Sequence, residues 1–309
     1  MNKKLLIAVD GSLHANQGLA YAADLLAGRD DMGCVLIHIQ PIISQYLHEE
    51  AREDPQIAEV LKRVIAHNQE KSSEVLEKSK QLLMDKGVRP AAVETVAKPR
   101  AMGLAKDILE YAHARPFEAI VAGRRGLARV QKIFMGSVSS TLAEYSGGIP
   151  IWIVDGDSRL EKILVAIDVM APWQPVVDHL VAVCAGMRDL RLIFYHVMQN
   201  DQVDEEAFFI PGMKEIGEMI SRNEKERLDD FWDQATSRLI EAGFNRRQLE
   251  ILAPPKTARV GKMIIRMVES QNIDTVLIGR RGGNQAVYLG SESRYVIERL
   301  AGRAVWVLG

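Results

Sequence analysis

An acid stands at Asp10, directly after the apolar run Leu5–Val9, and the stretch Gly123-Arg124-Arg125-Gly126 follows a second apolar run, Phe117–Ala122. Thirteen residues after Gly123 come Gly136 and Ser137, giving the spacing Gly-x2-Gly-x9-Gly-Ser. Glycines at 123 and 126 permit positive φ and a close approach of backbone to a ligand. Gly136-Ser137-Val138-Ser139 opens a helical pattern, so its amides and hydroxyls would face an anion at a helix N-terminus. Arg124, Arg125, Arg129 and Lys132 add positive charge to the same stretch. Anion donors there and a carboxylate at Asp10 suit opposite ends of a nucleotide, with phosphates on the amides and ribose or base near the acid. Plainer explanations stand beside this one. The glycines can serve a strand-to-helix turn, Asp10 can cap a helix, and the arginines can be solvated surface charge.

These residues must be held by elements, and the elements come twice. Lys4-Leu5-Leu6-Ile7-Ala8-Val9-Asp10 returns as Lys162-Ile163-Leu164-Val165-Ala166-Ile167-Asp168, 158 residues later. Gly123-Arg124-Arg125-Gly126 returns unchanged as Gly279-Arg280-Arg281-Gly282, 156 residues later. Gly136-Ser137 returns as Gly290-Ser291 and Ile151-Trp152-Ile153 as Val305-Trp306-Val307, both at 154. Landmarks kept in one order at a slowly drifting offset indicate tandem duplication. The polar stretch Asp155–Glu161 separates the copies, so the expected division is a first repeat over 1–155, a linker over 156–161 and a second repeat over 162–309.

Within the first copy, strands are expected at Leu5–Val9, Cys34–Ile39, Val93–Ala97, Phe117–Ala122 and Ile149–Val154. Helices are expected at Ala15–Ala27, Pro55–Lys86, Ala101–Ala112 and Ser137–Tyr145. The second copy repeats the scheme, with strands near 163–168, 190–198, 248–252, 275–279 and 304–308. Buried apolar strands alternating with helices predict an α/β fold with a doubly wound parallel sheet, whose ligands sit beyond the strands' carboxyl ends. Asp10, Ile39 and Gly123 all fall at such ends.

Composition narrows the function classes. Lys and Arg number 39 against 41 Asp and Glu, so there is no basic excess to draw nucleic acid or an anionic membrane. No apolar run approaches the ~18 residues of a membrane span, and a chain with only Cys34 and Cys184 fits a reducing, cytoplasmic setting. No Cys or His pair has zinc-ligand spacing, so no direct protein ligand to a metal is expected. A Walker P-loop and a Gly-x-Ser-x-Gly elbow are both missing, and Ser137 has no base at a recognisable spacing. His38 and His196 recur within apolar runs and read as packed residues with satisfied ring nitrogens. Met213, Met219, Met263 and Met267 read as core or interface positions. His48–Pro55 and Asn200–Met213, at equivalent places after the second strand of each copy, are long enough to act as lids or partner contacts. The second of these includes Phe208-Phe209-Ile210, an interface candidate if exposed.

The glycine pattern, the strand end Ala8-Val9-Asp10-Gly11-Ser12 and the run Leu36-Ile37-His38-Ile39 together resemble the nucleotide-binding branch of the universal stress protein family. The resemblance covers nearly the whole chain, twice, as in tandem members of that family. It implies two tandem doubly wound parallel five-stranded sheets of the adenine-nucleotide alpha hydrolase-like type, packed through their fifth strands as an intramolecular pseudo-dimer. Trp152 and Trp306 would mark the seam. It further implies ATP as ligand, with Asp10 and Ser12 at the ribose and adenine end and the Ile39 backbone reading the adenine edge. Gly123, Arg124, Gly126, Gly136, Ser137, Val138 and Ser139 would surround the phosphates, and Mg2+ would be carried by the nucleotide.

The second copy departs from this pattern. Seven residues rather than nine separate Gly282 from Gly290, and Val169-Met170 replaces Gly11-Ser12. A register change among the amides is expected, so Asp168, Val197, Gly279, Gly282, Gly290 and Ser291 form a weaker candidate site, open to a different ligand or a lone phosphate. The leading functional expectation is an ATP-binding stress-response or regulatory protein in which occupancy biases a protein partner, with little or no hydrolysis. A nucleotide-independent scaffold or signalling module is the second expectation. An ATP-using transferase is the third, although the His-x-Gly-His and Ser-Gly-Gly signatures of related folds are missing. Association of two chains into a homodimer stays open.

Overall fold

A computed structural model describes residues 3–126, 136–197, 213–254, 259–280 and 289–309. The chain divides into two compact units, Met1–Asp157 and Ser158–Gly309. The stretch expected to be a polar linker is partly tucked in, because Asp155, Ser158 and Leu160 are all buried.

Unit 1 runs β1 (Lys3–Ala8), α1 (Leu13–Leu26), β2 (Met32–Ile39), α2 (Gln45–Glu53), α3 (Pro55–Asp85), β3 (Val93–Lys98), α4 (Leu104–His113), β4 (Ala119–Gly123), α5 (Ser137–Tyr145) and β5 (Ile151–Val154). Its strands are all parallel, in the order β3-β2-β1-β4-β5. The order reverses direction between β1 and β4, where Leu5 pairs with Ala119 and Ile7 with Val121. That switch point puts Asp10 and Gly123 on neighbouring strand ends. Leu5, Leu6, Ile7, Ile120 and Val121 are fully buried, as expected of strands covered by helices on both faces. Tyr21 of α1 meets Trp152 of β5 edge to face at 6.2 Å. Cys34 is also buried here, and that burial, with a smaller push from the Glu94 charge, raises its thiol to about 12.

The residues His48–Pro55, expected as a lid or partner contact, belong largely to a helix, α2, which packs along α3 and buries no side chain of its own. Two other expectations for unit 1 need correction. The buried stripe of α3 is Asn68, Ser72, Leu76, Ser79 and Leu83, whereas Val60, expected on the apolar face, is exposed. Ser72 settles its hydroxyl by donating to the Asn68 carbonyl at 2.6 Å, which lets a polar position face inward. Helix α4 begins at Leu104 rather than Ala101, because the Asp107 carboxylate takes the N–H groups of Ala101, Met102 and Gly103 and ties those residues into a turn.

Unit 2 runs β6 (Lys162–Ile167), α6 (Gln174–Cys184), β7 (Arg191–His196), α7 (Met213–Glu241), β8 (Leu249–Leu252), α8 (Val260–Ser270), β9 (Thr275–Gly279), α9 (Ser291–Arg299) and β10 (Ala304–Leu308). Its parallel order, β10-β9-β6-β7-β8, repeats that of unit 1. His179 of α6 stands where Tyr21 stands in unit 1 and meets the buried Trp306 edge to face at 5.6 Å. Burial alone pulls its pKa down to about 3, so it is a neutral packing residue. Met219, expected in a core or interface, is exposed. Among the described residues no helix is long and apolar enough to cross a membrane.

Candidate functional site

The crevice of unit 1 is built from the turn after β1. Gly11 takes φ +77°, which bends the chain so that the Ser12 N–H donates to Asp10 Oδ1 at 2.9 Å. Ser12 then caps α1, its Oγ accepting the Ala15 N–H at 3.2 Å. Capping is therefore the task of Ser12, and Asp10 lies beside it at the strand end. His38 on β2 donates from Nδ1 to the Val9 carbonyl at 2.8 Å, tying the ends of β1 and β2 together.

The glycines are needed for approach and not for left-handed backbone. Of the two freedoms the sequence allows Gly123 and Gly126, it is close approach and not positive φ that they use, and Gly136 likewise lies outside the positive-φ set. A Cβ on Gly123 would sit 2.5 Å from the carbonyl carbon and oxygen of His14, so only glycine lets β4 end against the first turn of α1. At Gly126 a Cβ would fall 2.8 Å from Asp10 Oδ2, and at Gly136 it would fall 3.2 Å from the Arg124 carbonyl oxygen. The Gly136 N–H donates to that same oxygen at 2.9 Å, closing the loop at its base. Gly136 is the N-cap of α5 and brings no side-chain hydrogen bond to its first turn. A backbone cradle that side chains would fill, with an acid at its edge, suits a ligand carrying hydroxyls and phosphates.

Not every expected ligand residue faces this crevice. Ser139 is buried and donates from Oγ to the Gly123 carbonyl at 2.7 Å, which pins α5 to the end of β4. The Arg124 side chain is only 1% exposed, and its Nε lies 3.7 Å from Asp155 Oδ2. Burial lowers the guanidinium's pKa, the Asp155 carboxylate raises it, and Arg125 adds to the lowering. Asp155 also lies 3.5 Å from His14 Nδ1 and 3.9 Å from Arg125, so it meets a ring from the first turn of α1 as well as the loop's guanidinium groups. Sequence reading assigned Asp155 to the polar stretch between the copies. Its place directly after the buried run Ile151–Val154 was the available signal. Ile39 ends β2, buried and in register with Lys98 of β3, and Ser137 is exposed at the start of α5. Val138, next along α5, is half-buried. Arg129 and Lys132 lie outside the described residues.

The crevice of unit 2 shares the anchors and differs in its lining. Asp168 Oδ1 accepts the Met170 N–H at 2.9 Å, reproducing the turn at Asp10. The Gly290 N–H donates to the Arg280 carbonyl at 2.8 Å, and Ser293 Oγ donates to the Gly279 carbonyl at 2.7 Å. The shorter loop therefore returns to the same anchor, and the register change expected there does not occur at its base. Gly282, Arg281 and the apolar cluster 208–210 lie outside the described residues.

Two substitutions open and recharge this site. Met170 in place of Ser12 cannot cap, and α6 starts at Gln174 after Ala171-Pro172-Trp173, with no side-chain cap. A cavity of about 630 Å³ lies there, bounded by the ends of β6, β7 and β9 and by α7, α8 and α9. His196 lies on its wall, with Nδ1 3.1 Å from the Ile167 carbonyl and Nε2 3.0 Å from Glu224 Oε1. Val197, at the end of β7, and Gly279 line it as well. Glu292 stands in α9 where Val138 stands in α5, and its carboxylate accepts the Gly261 N–H in the first turn of α8.

Comparison with known proteins follows the same division. The sequence signature described as the universal stress protein family matches residues 1–154 and again 159–301. A universal stress protein from Archaeoglobus fulgidus DSM 4304 is similar at 21% identity, over 100% of this chain and 98% of that one, with a TM-score of 0.60. A protein of unknown function from Pseudomonas aeruginosa PAO1 is similar at 17% identity, over 99% and 92% respectively, with a TM-score of 0.59. No curated protein matches the chain. With the family signature spanning both units, the chain belongs to the universal stress protein family.

Proposed function

We propose that unit 1 binds an adenine nucleotide, ATP with Mg2+ carried on its phosphates, and that occupancy alters how the protein meets a protein partner. The observation that carries this reading is the placement of Asp10 Oδ2 against Gly126, beside the α5 first turn whose cap is the side-chain-free Gly136. Asp10 would accept from the ribose hydroxyls, the Ile39 backbone would meet the adenine edge, and the amides of Gly126 and Ser137 would take the phosphates, with Gly136 leaving room for them to approach. Ser139 and Arg124 serve indirectly, one holding α5 to β4 and the other holding the loop to Asp155. We assign no base that activates a water, so little or no hydrolysis is expected.

A route to the surface supports the regulatory part of the proposal. Val75 Cγ2 of α3 lies 3.6 Å from where a Gly11 Cβ would stand, so α3 rests on the turn that carries Asp10. The first half of α3 carries α2 on a largely exposed face. A change at Asp10 therefore has a packed path to the α2–α3 surface.

Calorimetric titration of the nucleotide-stripped full chain with ATP and Mg2+ tests the proposal. One ATP bound per chain, lost on Gly136→Val, is expected. Absence of any heat at millimolar ATP would overturn the nucleotide reading and leave a scaffold that works through protein contacts alone.

A further inference from the structure

We propose that the cavity of unit 2 is a binding site for a small apolar molecule bearing a protonated amine, and not a second site for a phosphorylated nucleotide. At about 630 Å³ the cavity has the size of a site for a drug-sized ligand. Its walls are largely aliphatic and aromatic, with Met170, Trp173, Val176, Val197, Ile220 and Ile264 drawn from α6, α7, α8 and the strand ends. Such walls favour a ring or short hydrocarbon body.

The polar groups decide the sign of the ligand's charge. Asp168, Glu224 and Glu292 reach the cavity from three directions, namely the end of β6, helix α7 and the first turn of α9. Glu224 is partnered by His196, which already faces a carbonyl with its other nitrogen. Arg227 is the guanidinium among the described lining residues, and it is exposed, with Nη1 3.0 Å from Met170 Sδ. Glu292 also lines a smaller neighbouring cavity with Arg259, Lys262 and Tyr295. Among the described residues, Asp168 and Glu292 are thus the two carboxylates of the larger cavity that His196 does not hold.

Position matters more than the count of charges. In unit 1 the second residue of α5 is Val138, and the helix's first turn carries no acid. In unit 2 the same position is Glu292, so the positive end of α9 is already met by a carboxylate of the chain itself. A phosphate brought to that turn would stand beside this fixed negative charge. An ammonium brought there would be flanked by Glu292 and Asp168, while its apolar body lay on Met170, Trp173 and Ile264. The inference concerns unit 2 only and stands whether or not unit 1 holds ATP.

The experiment is a matched titration of the full chain with 1-naphthylmethylamine and with 1-naphthylacetate, by calorimetry, with and without saturating ATP. The expected result is one amine bound per chain, at least tenfold tighter than the carboxylate, with affinity unchanged by ATP. Glu292→Gln keeps an oxygen for the Gly261 N–H and removes the charge, and it should weaken amine binding about tenfold. Ile220→Trp, on the exposed helix α7, should fill the cavity and abolish binding while the thermal melt stays as in the parent. Equal binding of amine and carboxylate would overturn the proposal. So would amine binding indifferent to both substitutions, displacement of the amine by ATP, or no binding of the amine at millimolar concentration.

Discussion

The Glu292 carboxylate accepts the Gly261 N–H, so one helix of unit 2 caps the N-terminus of its neighbour. Unit 1 caps the equivalent helix from within, through Asp107 and the three amides of Ala101, Met102 and Gly103. The repeat offset places Met263 opposite Asp107 and Val138 opposite Glu292. An acid has in effect changed helices between the copies, and the first turn of the loop-following helix has changed charge as a consequence.

This exchange makes a coupled prediction about stability. Glu292→Val should destabilise the protein by roughly 1–2 kcal/mol, the usual loss for an amide cap. Adding Met263→Asp should restore much of that loss by reinstating the internal cap, a positive coupling measurable in a urea-denaturation double-mutant cycle. In unit 1, burial pushes the Asp107 carboxyl up, but the three amides outweigh it and hold the group below its usual value. A depressed carboxyl pKa gives stability that is present above the unfolded-state value and lost as pH falls through the folded one. Asp107→Asn should therefore flatten the acid limb of the stability profile.

The two roles of glycine can be separated. Gly123→Ala should cost about 2 kcal/mol or more, because its Cβ meets the His14 backbone at 2.5 Å and must displace either β4 or α1. Gly217, inside α7, has nothing within 4 Å of a built Cβ and no positive φ. Gly217→Ala should stabilise by roughly 0.5–1 kcal/mol through helix propensity. Thermal melts of the two variants should move in opposite directions.

His179 gives a pH prediction of definite sign. Its folded pKa of about 3 lies below the unfolded value of 6.5, so the unfolded chain takes up the proton first. Stability from this group is complete above pH 6.5 and declines as pH falls toward 3, by about 1.4 kcal/mol per pH unit at most. His179→Phe keeps a ring against Trp306 and should remove that part of the slope. A pH series of urea midpoints for the two proteins would show it.

Asp155→Ala should be costly although the residue lies in the polar stretch between the repeats. It would strip a carboxylate from beside a buried guanidinium, a change on the order of 3 kcal/mol. Arg124→Met combined with Asp155→Leu should recover most of the stability, since an apolar pair of similar volume needs no charge partner. If ATP occupies unit 1, the single substitution should also weaken its binding. The loop that returns at Gly136 would have lost its tie to α1.

Much of the architecture was legible because period and offset are one-dimensional signals. The repeated landmarks predicted two sheets, and the apolar runs located the strands of both. The position of Asp10 and Gly123 at strand ends was enough to indicate a crevice. What could not be read was which groups meet across the fold. Gly123 looked like a turn glycine because its real constraint is the backbone of His14, more than a hundred residues earlier. Glu292 and Asp155 look like ordinary charges in the sequence, and their meaning lies in Gly261 and Arg124. The buried face of α3 misled for a different reason. Asn68, Ser72 and Ser79 are small enough to pack closely, and their polarity hid a face that hydropathy alone assigns to water.

The bond from the glycine N–H to the arginine carbonyl, Gly136 to Arg124 in one copy and Gly290 to Arg280 in the other, works as a socket. Between its two halves one copy carries nine residues after the second glycine and the other carries seven, yet strand and helix dock alike. Loop length and loop chemistry are thereby uncoupled from folding. Once the gene had doubled, the second copy could be re-tasked by insertion, deletion or a single acid at the helix start, with the first copy's crevice left as it was and neither sheet obliged to repack.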